Sequence, residues 1–155
     1  MGKNGAMTLL LTLLLLCKPI EPAPFVAKGN TRRALQLSVE EYKLQLTDNK
    51  GEVWSHNTTT FKVLFAADDS WVALKGPYPS GEIMIAPTSR DAAVITVSPL
   101  QHLTDKEKER VPQTSCGESW FAGWASSKKG LKLTVDQGAE PKLTLYVSPL
   151  GLVTR

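Results

Sequence analysis

Residues 131–135 read Leu131-Lys132-Leu133-Thr134-Val135, and residues 143–147 read Leu143-Thr144-Leu145-Tyr146-Val147. In both stretches every second residue is aliphatic. A period of two sends successive side chains to opposite faces of an extended chain, so each stretch predicts a strand with one face in a core and the other toward water. The same rhythm runs backward through the sequence. Leu35, Leu37 and Val39 alternate with Gln36 and Ser38, and Tyr42, Leu44 and Leu46 alternate with Lys43, Gln45 and Thr47. Asp48-Asn49-Lys50-Gly51 supplies turn residues, which makes 52–56 the returning arm of a hairpin.

Between these ends the pattern is shorter but repeated. Phe61, Val63 and Phe65 alternate with Lys62 and Leu64, and Ala67-Asp68-Asp69-Ser70 breaks the run. Residues 71–75 are short and apolar, and Gly76-Pro77-Tyr78-Pro79-Ser80-Gly81 is a strong breaker. Segments 82–86, 92–98 and 120–126 complete the series. Short strands spaced about 8–12 residues apart by turn signals predict an all-β fold. The expectation is a single antiparallel β-sandwich over 31–155, immunoglobulin-like in general architecture. One short connecting helix is expected near 105–110, because Thr104-Asp105-Lys106-Glu107 is a capping box and Pro112 ends the segment. Its alternating charges describe a solvated connector.

The amino terminus carries a different signal. Lys3 precedes an uncharged, leucine-rich run from Ala6 to Cys17. A basic start followed by an apolar run of about 7–15 residues describes a secretory signal peptide, too short for a bilayer span. Residues 1–27 are therefore read as signal peptide and Pro-rich connector, with cleavage between 17 and 27. The expected location is secreted or cell envelope. Cys17 is a candidate lipidation site and the expected route to any membrane association, although Leu16 stands where bacterial lipoproteins place a small residue. If Cys17 leaves with the leader, Cys116 is the remaining thiol and no intrachain disulfide can form. Asn57-Thr58-Thr59 matches the N-glycosylation pattern, which makes Asn57 a candidate for modification. The formal net charge of +3, spread along the chain, gives no clustered basic face for nucleic acid.

The sequence holds no complete catalytic set. Gln113-Thr114-Ser115-Cys116-Gly117-Glu118-Ser119-Trp120-Phe121-Ala122 resembles the C-G-[SA]-C-[WY] segment of papain-like cysteine proteases over about ten residues. The nucleophile position falls on Ser119, and the 36 residues after it hold no histidine. That family places its histidine about 130–150 residues downstream, so the resemblance fails as a catalytic motif. A small hydrolase using Ser119 or Cys116 would have to recruit His56 or His102. No spacing fits a zinc or EF-hand site, Asp68-Asp69 lacks further oxygen ligands for calcium, and no glycine-rich loop opens a helix. No cofactor is expected, and no enzymatic activity.

What remains is a binding surface. Trp120 and Trp124 share one face of a strand and Tyr78 sits in the Gly/Pro-rich loop, so these three are the candidate contacts for a protein or glycan partner. The expectation is an exported, non-catalytic module that binds such a partner or serves a structural role at the cell envelope or in the extracellular space. The alternative is a subunit of an envelope or extracellular assembly, such as a pilus, secretion apparatus or capsid.

Overall fold

The computed structural model describes residues 23–32, 34–58, 60, 62–75, 82–111, 121–135 and 142–155. Among them the chain is mostly β, with twelve strands in three four-stranded antiparallel sheets. The first sheet runs β1 (Phe25–Lys28), β2 (Gln36–Glu40), β3 (Lys43–Asp48) and β4 (Gly51–His56). The middle sheet is β5 (Lys62–Phe65), β6 (Trp71–Lys75), β7 (Ile83–Pro87) and β8 (Ile95–Val97). The last is β9 (Phe121–Ser127), β10 (Gly130–Val135), β11 (Leu143–Val147) and β12 (Val153–Thr154). Each is a meander in which neighbours in sequence are neighbours in the sheet.

The sheets stack face to face with the middle one buried on both sides. Trp71, Ala73, Ile83 and Ile85 point toward the last sheet, where they meet Leu131, Leu133, Leu145 and Val147. Val72, Leu74, Met84 and Ala86 point the other way and meet Leu37, Leu44 and Leu46 of the first sheet. Strands covered on both faces need apolar residues at both parities, and Trp71-Val72-Ala73-Leu74 and Ile83-Met84-Ile85-Ala86 have them. This corrects the expected sandwich: there are three layers in place of two. The immunoglobulin-like arrangement is replaced as well, because each sheet is a run of hairpins without Greek-key crossovers.

Alternation survives in the two flanking sheets. On the first sheet the outward pairs are Gln36 with Thr47 and Ser38 with Gln45. On the last they are Lys132 with Tyr146 and Thr134 with Thr144. Neither set of outward pairs offers an aliphatic surface for another layer. A β-bulge refines the first interface. Leu46 faces Trp54 but Thr47 faces Glu52, so Val53 is the extra residue and both Val53 and Trp54 turn inward. The Trp54 indole N–H then donates to the Pro87 carbonyl at 3.0 Å, which satisfies a buried donor across the sheets.

Two strands lie beyond the sequence expectation. β1 occupies the stretch read as connector and pairs with β2 from Phe25–Val39 to Lys28–Gln36. β12 is a two-residue strand on β11. The expected helix, α1 (Asp105–Arg110), is present and buries none of its residues. Thr104 Oγ1 accepts from Glu107 N–H at 3.3 Å, and Thr104 N–H donates to Glu107 Oε2 at 2.7 Å, so the capping box is formed. Glu107 also receives the Arg155 guanidinium through two bonds, at 2.7 and 2.8 Å, and Arg155 reaches the His102 carbonyl at 3.1 Å. The Arg155 hydrogen bonds, followed by the Thr104 N–H, hold the Glu107 carboxyl down at about 2.

Truncating either side of the interface between the middle and last sheets should cost more than truncating an outward face. Ile85→Ala or Leu133→Ala should lower unfolding free energy by about 2–5 kcal/mol in a urea titration, as expected for a fully buried aliphatic. Lys132→Ala should stay within about 0.5 kcal/mol. Carboxyl resonances followed by NMR should place Glu107 near about 2, and Arg155→Ala should move its midpoint up toward the ordinary carboxylate range.

Candidate functional site

In a meander, alternate hairpin turns fall at the same end of the sheet. The β1–β2, β5–β6 and β9–β10 turns come together there, joined by the β3–β4, β7–β8 and β11–β12 connections. Hydrogen bonds between sheets pass through this end of the stack.

Its centre is Asp69, fully buried in the β5–β6 turn. The backbone N–H groups of Asn30, Thr31 and Arg32 each donate to its carboxylate at 2.7 Å, and Thr31 Oγ1 adds a bond at 3.0 Å. Asn30 returns the contact through its side-chain amide, which donates to the carbonyls of Phe65 at 3.3 Å and Ala66 at 3.0 Å. The Asp69 carbonyl accepts from the Thr88 hydroxyl and, at 3.4 Å, from Arg32 Nη2. Asp69 has φ 58°, in the left-handed region that Asp enters more readily than most side chains. Gly29 is the sequence counterpart of this clasp. A Cβ there would lie 2.8 Å from both the Arg32 carbonyl oxygen and Asp69 Oδ2, so glycine alone lets the loop close on the carboxylate. Burial pushes the Asp69 carboxyl up, but the three backbone donors and the Thr31 hydroxyl outweigh it and hold the group below its ordinary value.

Arg90 makes a second clasp between the same two sheets. From the β7–β8 connection its Nη2 reaches both oxygens of Asp48, at 2.9 and 3.1 Å, and its Nη1 donates to the Glu52 carbonyl. It thereby holds the β3–β4 hairpin.

Between the middle and last sheets the same end opens into a cleft of about 560 Å³. Trp71 and Pro149 contribute its apolar surface, and Asp68, Ser70, Ser126 and Lys128 its polar one. Ala67 N–H donates to Ser126 Oγ at 3.2 Å, bridging the two walls. Asp68 Oδ1 receives the Ser70 hydroxyl at 2.6 Å and its N–H at 3.0 Å, and these bonds hold the exposed Asp68 carboxyl below its ordinary value. On the far wall, Ser127 Oγ bonds to the Gly130 carbonyl and accepts from Lys129 N–H, and the Lys129 ammonium lies 4.6 Å from the Tyr146 ring centre. Gly130 has φ 113°, and a Cβ there would come 2.3 Å from the Val147 carbonyl oxygen. That close approach fixes the β9–β10 turn against the end of β11.

The residues singled out from sequence are not gathered in this cleft. Trp124 is half-buried against the core between the middle and last sheets, with the Lys62 ammonium 5.3 Å from its ring centre. Tyr78, Trp120, Cys17, Cys116 and Ser119 lie outside the described residues. Asn57 is exposed directly after β4. His56 and His102 are both exposed, and among the described residues no three His, Cys, Asp or Glu side chains are grouped to hold a metal ion. Sequence patterns do not single out Asp69, Gly29 or Arg90. The partners of the Asp69 carboxylate and of Arg90 lie 37 to 42 residues away, a separation that carries no periodic trace. A comparison of the chain with protein-family models and with curated proteins finds no match.

Removing the clasp should weaken the fold in a pH-dependent way. Asp69→Ala leaves three N–H groups without their acceptor and should cost about 2–3 kcal/mol. The folded carboxyl titrates below its unfolded value of about 3.9, so its contribution is complete well above that pH and is lost as pH falls through the folded value. The stability difference between the parent and Asp69→Asn, measured by urea titration, should therefore be constant near neutrality and shrink below about pH 4.

Proposed function

We propose that the chain is an exported, non-catalytic binding module that meets a protein or glycan partner at the cell envelope or in the extracellular space. The observation that carries this reading is the clasped end of the stack. Turns from three sheets are held in one arrangement by Asp69, Arg90 and Ser126, and an open cleft of mixed lining lies between two of them. Loops fixed on a sheet scaffold present side chains to a partner at little ordering cost. The basic start and uncharged leucine-rich run of residues 3–17 support export through a signal peptide. A lipid on Cys17 belongs to the same proposal, as does a glycan on the exposed Asn57.

A second reading, a subunit of an envelope or extracellular assembly, is favoured by one feature. Leu150 and Leu152 are 79% and 67% exposed in the turn before β12, which is the edge strand of the last sheet. An edge strand flanked by apolar side chains is a template for pairing with another chain. Concentration-dependent light scattering separates the two, because the assembly subunit oligomerises and the binding module stays monomeric.

Export is tested by the intact mass of the protein recovered from its own host. The module reading expects a species lacking the leader in the envelope or medium, and a full-length species confined to the cytosol would overturn it. Cys17→Ser should release the protein from membranes if the cysteine is acylated. Alkylation of Cys116 and Ser119→Ala should each leave partner binding intact, and a hydrolytic activity abolished by either would replace the module with an enzyme.

A further inference from the structure

Resting on the binding-module reading, we infer that the cleft between the β5–β6 and β9–β10 turns takes a short acidic saccharide, one bearing a uronate carboxylate. A sugar ring has an apolar C–H face and a rim of hydroxyls that both donate and accept. The cleft offers the matching arrangement. Pro149 and the 5% of Trp71 left exposed provide apolar surface, while Asp68 accepts and Lys128 donates; the Ser70 hydroxyl, whose proton goes to Asp68, can accept, and the Ser126 hydroxyl, which takes the Ala67 N–H, can donate. Its volume of about 560 Å³ suits a ligand of a few rings. The walls are fixed before any ligand arrives, joined to each other by the Ala67–Ser126 bond and held at the β9–β10 turn by Ser127 and Gly130. Little ordering is left to oppose binding.

Charge decides the class of sugar. Two ammonium groups, Lys128 and Lys129, stand against the single carboxylate of Asp68 among the residues lining the cleft. Asp68 has one oxygen engaged by Ser70, and Lys129 leans on Tyr146, which leaves Lys128 as the exposed cation at the rim. A compact anion such as phosphate would have to share the cleft with the Asp68 carboxylate. A saccharide separates its functions: its carboxylate pairs with Lys128 while a hydroxyl elsewhere on the ring donates to Asp68. A charge-assisted bond at that rim is stronger than a neutral one and is weakened by salt.

The test uses the folded full chain and three probes: a hyaluronan tetrasaccharide, neutral chitotetraose and inorganic phosphate. Calorimetry and NMR shift mapping should show the hyaluronan probe binding with perturbed amides at 66–71 and 126–130, and weakening as salt is raised. Lys128→Ala should weaken it about tenfold, the loss expected for one charge-assisted hydrogen bond, with the unfolding midpoint unchanged. Ser126→Ala should weaken it as well, and its own unfolding curve shows whether the wall bridge has been lost. Equal binding of chitotetraose or of phosphate would overturn the acidic-saccharide inference, as would hyaluronan binding that Lys128→Ala leaves untouched or shifts confined to another surface. If no saccharide binds while a protein partner binds and is insensitive to Lys128→Ala, the inference fails and the module reading stands. If nothing binds and the protein is cytosolic, both fail.

Discussion

The stack depends on one sheet whose two central strands water reaches on neither face. β6 and β7 put apolar side chains at every position of their central stretch, and those side chains alternate between two separate cores. Ala73 and Ile85 belong to one, Leu74 and Met84 to the other. Neither flanking sheet can bury its own aliphatic face without this layer, since Leu37, Leu44 and Leu46 pack on one side of it and Leu131, Leu133 and Leu145 on the other. The two cores share a backbone, so strain at a buried position in one passes directly to the other.

Much of this is legible in the sequence. The strands of the flanking sheets show themselves because half-burial leaves a period of two, as in Leu131 to Val135. The helix is announced by its capping box. The number of layers is harder to read, although its trace is present. Trp71-Val72-Ala73-Leu74 and Ile83-Met84-Ile85-Ala86 lack polar alternates, and a run apolar at both parities is what a doubly covered strand requires. β1 leaves a faint signal because Phe25 and Ala27 are only partly buried and sit close to prolines. β12 leaves none, because two residues cannot establish a period.

The end of the stack is the least legible part. Asp68 and Asp69 are adjacent and look alike in sequence, yet one is exposed and bonded within its own turn while the other is buried and binds a loop of another sheet. Only the fold distinguishes them, because the difference lies in which backbone N–H groups arrive from the β1–β2 loop. Trp124, by contrast, stands out as an aromatic, and its place against the core is where a large ring on a half-buried strand is commonly found. No pattern along the chain joins Asp68 with Ser126 and Lys128, which lie almost sixty residues further on at the end of β9 and in the turn after it.

The polar pairs on the two outward faces also determine how the architecture could change. Consecutive four-stranded meanders packed face to face are the building unit of propeller-type proteins, which close a ring of them. Here Ser38 and Gln45 at one extremity and Lys132 and Thr134 at the other act as terminators, and neither core bridges the first sheet to the last. Exchanging a handful of those positions for aliphatic residues would give the described stack a fresh greasy flank able to receive another blade or a neighbouring molecule. Whether such a layer can be added thus rests on a few side chains that contribute little to either interior.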